Sequence, residues 1–381
     1  MKKTLLTLLI CASSPSAFAV VNGASLDWSE HNNTAYLETG TNPDLYCTGT
    51  LVGGRFIVTA AHCVDDSFEG QHQEEVDTIN TYYGLSKQAS IEMHPDWEDE
   101  AHNCLDGRSQ YCNDIAFLHA DEALPYDSIQ YFIETNPYTA THFSDPDMDT
   151  MTIAGFGGTP YELNQADFTT SAYNLMYGEE KLEANMVNSS HTTGGDSGSA
   201  WINSSNEIIA IHRGSAECGP DNSCRRTYGT NIDYVRPFIL EAVNGWHYPT
   251  VVRTSGGQAT ITLQSLHQTS PTLADRQADI TSDHLDAVNS TCLTKMTMQP
   301  FEKCTVVIDG LTDGELSTVY LGGSDRDGFS QEIQLNASMP TPEMNDGSDQ
   351  PVISGSSSGG SIGFLSLFGL GLLGRLRKKE G

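Results

Sequence analysis

Cationic side chains are scarce in this chain: 19 Lys and Arg stand against 50 Asp and Glu over 381 residues, a formal net charge of −31. Polyanions are bound by Lys and Arg that neutralise phosphates, so the composition argues against nucleic acid as a partner. Long apolar runs are also absent. The stretch Ile362 to Gly374 holds 13 residues, short of the roughly 20 that a stable spanning helix needs. There is no HExxH and no CxxC spacing, so the histidines and cysteines form no recognisable transition-metal set, and no cofactor or metal is expected. The acidic stretch Asp65 to Glu75 lacks the spaced oxygen ligands of a calcium loop and reads as solvated charge.

Both ends carry processing signals. Met1-Lys2-Lys3, the apolar stretch Thr4 to Ala12 and Ala17-Phe18-Ala19 have the three regions of a secretory signal peptide, which assigns residues 1–19 to it and starts the mature chain at Val20. Export predicts an oxidising compartment and an encounter with the general secretion and signal-peptidase machinery. Of nine cysteines, Cys11 leaves with the signal, and the other eight can all pair. Proximity suggests Cys104 with Cys112, Cys218 with Cys224, and Cys292 with Cys304, but eight cysteines allow 105 connectivities and the sequence leaves them open. At the far end, residues 338–361 are rich in Pro, Gly, Ser and Asp and read as a flexible linker ending at Gly359-Gly360. Residues 362–381 follow as an apolar block and then Arg375, Arg377, Lys378 and Lys379. This tail resembles the Gly-Gly carboxy-terminal sorting signal of Gram-negative secreted proteins. The resemblance implies an outer-membrane secretion system, a tail-processing protease that cuts near the Gly pair, and a product released or retained at the cell surface.

Three short segments carry chemistry. His62 lies in Thr59-Ala60-Ala61-His62-Cys63, Asp114 in Asn113-Asp114-Ile115-Ala116-Phe117-Leu118, and Ser197 in Gly194-Gly195-Asp196-Ser197-Gly198. Taken singly, each has an ordinary structural reading: a buried strand end, a half-buried strand, a tight turn. Taken together they supply what acyl transfer needs. A serine hydroxyl is a poor nucleophile unless an imidazole takes its proton and a carboxylate fixes that imidazole's tautomer.

In order and wording these segments resemble the chymotrypsin/trypsin family of serine proteases, with Gly155-Phe156-Gly157 where that family has Gly-Trp-Gly and Tyr234 to Val243 as its closing helix. The resemblance spans Val20 to Trp246. It implies an all-β chymotrypsin-like double β-barrel with the site between the barrels, and hydrolysis of protein or peptide substrates through His62, Asp114 and Ser197. The amides of Gly195 and Ser197 are implied as the oxyanion hole, an ion pair between the Val20 ammonium and Asp196 as the activating contact, and Cys47–Cys63 as the disulfide bracing His62. Because Val20 directly follows the signal-peptidase site, export alone is expected to activate the enzyme. Trypsin-like preference needs an acid six positions before the serine, where this chain has His191. Thr192 and His212 resemble the acid-binding pair of bacterial glutamyl endopeptidases, and Arg213 adds positive charge beside them. An acidic or a small apolar residue before the scissile bond is therefore expected over a basic one.

The protease-like region is assigned to residues 20–247. Beyond it, short runs at Ala259 to Leu263, Ala278 to Ile280, Cys304 to Ile308, Ser317 to Leu321 and Glu332 to Leu335 read as strands of an Ig-like β-sandwich over 248–337. A spacer role and a substrate-binding role are both open for it. A rival reading of the whole chain is a catalytically silent surface adhesion or binding protein that works through this sandwich.

Overall fold

Short apolar runs separated by Gly, Asp and Asn turns fold into strand after strand. The computed structural model describes residues 20–39, 45–65, 76–97, 113–135, 150–170, 181–218 and 224–341. The expected signal peptide, Cys104 and Cys112, most of the linker with its Gly pair, and the tail lie outside the described residues. Among the described residues no helix is long and apolar enough to cross a membrane.

After the two-residue β1 (Ala24–Ser25), six strands close a barrel: β2 (Thr34–Thr39), β3 (Tyr46–Val52), β4 (Phe56–Thr59), β5 (Val76–Thr81), β6 (Gly84–Met93) and β7 (Ala116–Ala120). A second, curved sheet uses β8 (Tyr131–Phe132), β9 (Thr150–Gly155), β10 (Asn164–Thr170), β11 (Lys181–Met186), β12 (Ala200–Asn203), β13 (Glu207–Glu217) and β14 (Arg225–Asn231), together with β1. Its end strand β9 pairs with β12 on one side and returns to β10 on the other. The chain then enters helix α1 (Ile232–Val243), whose N-cap Asn231 accepts the Asp233 amide (3.1 Å) and whose C-cap Asn244 turns left-handed at φ 40°.

Strands β3, β4 and β7 set the positions of the chemistry. Alternate side chains of a strand face opposite ways. Leu51, Ile57, Ala116 and Leu118 fill the barrel, while Val52, Phe56, Val58 and Phe117 pack with Val235, Phe238 and Ile239 of α1. Strand β7, which its sequence alone presents as half-buried, is thus buried along its whole length. Both faces meet apolar surface because α1 covers the side that would otherwise meet water.

The C-terminal strands are β15 (Trp246–His247), β16 (Val251–Val252), β17 (Ala259–Ser265), β18 (Lys303–Ile308), β19 (Ser317–Ser324) and β20 (Ser330–Leu335), with two short helices, α2 (Leu273–Asp279) and α3 (Thr291–Thr294). They make two three-stranded sheets, β15-β17-β18 and β16-β20-β19, over one core of Trp246, Ile261, Leu263, Val306, Val319 and Ile333. One expected strand is not there: Ala278 to Ile280 closes α2 instead. Thr272 and Asp275 form a reciprocal capping box that starts a helix before the apolar pair can extend.

The described residues, 20 to 341, belong to one compact unit. The expected join at 247/248 falls in a segment buried without interruption from Gly245 to Val251. Gln264 hydrogen-bonds both backbone groups of Phe132 (3.0 and 2.6 Å) and the carbonyl of Phe301 (2.9 Å). The buried Arg55 of the first barrel meets Asp325 at 2.9 Å and also Asp327, which His119 Nδ1 approaches at 2.8 Å.

Candidate active site

His62 sits in a single turn of 3-10 helix, Ala61–Cys63, directly after β4. Disulfide Cys47–Cys63 ties that turn to β3. Asp114 lies two residues ahead of β7, its carbonyl held by the Thr230 hydroxyl (2.9 Å). The Asp114 carboxylate is fully buried: Oδ1 accepts the His62 amide at 3.0 Å, and Oδ2 faces the ring Nδ1 at 2.8 Å. Burial alone would push this carboxyl up, but the His62 ring and amide, with Arg213, hold it below the ordinary carboxylate range.

Ser197 is brought to the same place by backbone pairing. Its carbonyl accepts the Thr48 amide (2.8 Å), and the next two residues bond His212: Gly198 N to His212 O (2.8 Å) and His212 N to Ser199 O (2.8 Å). A Cβ on Gly198 would lie 3.1 Å from the nitrogen of Ala60, two residues before His62. The turn leading into Ser197 depends on Gly195, at φ 100°, where a Cβ would stand 2.3 Å from the Tyr46 ring. Its carbonyl accepts the Thr48 hydroxyl (2.8 Å). Thr48 and Tyr46 were not recognisable as site residues from sequence, since no motif marks them.

Asp196 is buried as deeply as Asp114, with different partners. Its carboxylate accepts the amides of Gly157 (2.9 Å) and Thr193 (2.8 Å), and the backbone of the fully buried Val20 also bonds it. Burial pushes this carboxyl up to about 7 against the opposing pull of those amides. Gly157 is needed for the approach, because a Cβ there would be 2.5 Å from the carboxylate. The segment behind Val20 is fastened by Ser190 Oγ to Asn22 O (2.7 Å) and His191 N to Val21 O (3.1 Å).

The expected specificity residues meet different partners. The His191 ring Nδ1 is 3.2 Å from the Ser189 carbonyl, beside the N-terminal segment. Thr192 is fully buried, with its hydroxyl 3.4 Å from that of Thr227. Arg225, which no sequence motif singled out, donates to the Thr192 carbonyl (3.3 Å) and pairs with Glu217 (3.3 Å). His212 lies against Trp201, whose indole N–H donates to its Nδ1 (3.4 Å). Burial, reinforced by His62, pushes the His212 imidazole down to about 3, so the ring is neutral at pH 7. Arg213 Nε is 4.0 Å from Asp114 Oδ2. The grouping of His62 with Cys47 and Cys63 is not a metal ligand set, because the two sulfurs bond each other.

Comparison with known proteins gives three findings. A family model described as Trypsin matches residues 20–239. Comparison with curated proteins finds no match. Among solved structures, neuropsin, a serine protease expressed in the limbic system of mouse brain, aligns at 17% identity over 58% of this chain and 98% of its own, with a TM-score of 0.45. HL collagenase aligns at 18% identity with the same two coverages and a TM-score of 0.44.

Proposed function

Because this chain belongs to the trypsin family and is a serine-type endopeptidase, we propose that Ser197 is its nucleophile, His62 its general base and Asp114 the carboxylate that orients His62. The observation that carries this reading is the double attachment of His62 to one buried carboxylate, at 3.0 and 2.8 Å. That arrangement fixes the tautomer with Nδ1 protonated and leaves Nε2 to take the Ser197 proton. As Ser197 Oγ bonds to the scissile carbonyl carbon, the amides of Gly195 and Ser197 receive the oxyanion. Collapse expels the amine, which takes the proton from His62, and water then repeats the sequence on the acyl-enzyme.

Basic side chains are disfavoured before the scissile bond in this proposal. His191 occupies the position where trypsin-like preference needs an acid, and the Arg225 guanidinium lies against the Thr192 carbonyl. With His212 neutral, an acidic side chain would be held by hydrogen bonds rather than by an imidazolium. Export, with cleavage before Val20 completing the pair with Asp196, and later processing of the Gly-Gly tail rest on the sequence signals at residues 1–19 and 338–381.

The test is cleavage profiling of a mixed peptide library by mass spectrometry, with Ser197→Ala as control. Loss of turnover on the order of 10⁶-fold in the variant is expected, with an unchanged circular dichroism spectrum. Cuts that survive in Ser197→Ala would refute the nucleophile, and cuts after Arg or Lys would refute the pocket.

A further inference from the structure

We propose that a cleft where the first barrel meets the second sheet binds a small, uncharged, polyhydroxylated ligand of the size of a sugar ring. Its volume is about 300 Å³, at the lower end of the roughly 300–1,000 Å³ of small-molecule sites. His62, Asp114 and Ser197 are not in its lining, so it is a second site. The first barrel contributes Thr34 of β2 and Thr50 of β3. The second sheet contributes Ala154 of β9, Gln165 of β10 and Ile202 of β12, and Gln130 comes from the stretch just ahead of β8.

The polar groups of this cleft are held in reserve. Thr50 is buried and Thr34 and Gln165 are half-buried, yet among the described residues their side chains have no hydrogen-bond partner. Gln130 spends its side-chain oxygen on Asn33 and keeps its amide N–H groups unspent. A purely apolar occupant would strip water from these groups without replacing its hydrogen bonds, which is costly. No Asp, Glu, Lys or Arg lines the cleft, and His31 is the one ionisable side chain there. An ion would therefore lose its water without a fixed counter-charge, and the net charge of −31 repels anions further. Ligand hydroxyls both donate and accept, which suits Thr hydroxyls and Gln amides alike. Leu26, Ala154 and Ile202 supply apolar surface for the C–H groups of a ring. The occupant would also bear on the frame of the serine turn without entering it. Thr48, two positions before Thr50 on β3, holds the carbonyls of Ser197 and Gly195, and Ala200, at the start of β12, is part of the lining.

The experiment titrates the full chain with glucose, galactose and N-acetylglucosamine, and with the charged relatives glucuronate and glucosamine, followed by ligand-observed NMR. Saturable binding of at least one neutral sugar is expected, about tenfold or more tighter than either charged relative. Gln165→Leu and Thr34→Val keep the shape of the wall and remove its hydrogen-bonding groups, and each is expected to weaken that binding about tenfold with an unchanged thermal transition. Binding of the free sugar but not of its methyl glycoside supports a diffusible ligand, and equal binding of the two supports a ring carried at the end of a longer glycan. No saturable binding by any of the three neutral sugars overturns the proposal. Undiminished binding in a folded variant places the sugar elsewhere and overturns it too, as does binding of a charged relative as tight as that of the neutral sugars. None of these readouts depends on catalysis, so they stand apart from the test of Ser197.

Discussion

Under the proposed cleavage before Val20, Asp196 would couple processing to stability. In the uncleaved chain its buried carboxylate has only peptide N–H partners among the contacts described above, and its folded value of about 7 exceeds the unfolded value of about 4. Between those values the folded state holds a proton that the unfolded state has lost. Stability therefore falls as pH rises from about 4 to 7, by up to about 4 kcal/mol, and the deficit is complete above pH 7. Asp196→Asn in the uncleaved chain should flatten this slope and raise stability at pH 8. In a chain that begins at Val20 the same substitution strips a buried ammonium of its partner and should destabilise by roughly 3–5 kcal/mol. Denaturant unfolding of both forms at pH 5 and pH 8 tests this opposition of sign; equal effects in the two forms would refute it. His62, Asp114 and Ser197 were legible because each lies in a short motif whose residue types have few other uses. The approach of Arg213 to Asp114 was not, because the bulge at that residue depends on the facing strand and leaves no mark in the local sequence.

At the level of elements, the turn that carries His62 is short and has no side-chain cap at its start. Its anchor is Cys47–Cys63, which closes a sequence separation of 16 residues. Replacing both cysteines by Ser should lower stability by about 3 kcal/mol, read as a shift in the guanidinium midpoint, and should reduce kcat more than it raises KM, since the base is loosened while the pocket strands are untouched. An unchanged kcat would show that β4 alone positions the turn. The strands were well marked in the sequence by apolar runs between glycines. The misread element, Ala278 to Ile280, shows the limit of that signal: three apolar-rich residues resemble a strand until the upstream Thr272-x-x-Asp275 cap is given its weight. Strand β7 shows the complementary limit, because the sequence cannot say that a helix more than a hundred residues later will cover its second face.

Across the whole molecule, the C-terminal sheets share the core of the catalytic half. Leu266 and Phe301 pack in one cluster with Phe56, Phe117, Phe132 and the apolar face of α1, and Arg55 is neutralised by acids of the β19–β20 loop. A chain ending at Tyr248 would expose that cluster and leave Arg55 unpaired with Asp325 and Asp327. It should be insoluble or, if recovered, should lack a cooperative thermal transition. Recovery of a cooperatively folded, active fragment 20–248 would refute this dependence. The milder change Asp325→Ala should cost roughly 3–5 kcal/mol, the range for removing one member of a buried ion pair. The buried run from Gly245 to Val251 has a further consequence. Proteases need an extended, accessible stretch to cut, and the usual nicking point between modules is an exposed connector. Here the connector is a buried run that holds β15 and leads into β16, so an enzyme surrounded by copies of itself offers them no hinge at this join, and the two halves wear out, or are inherited, together.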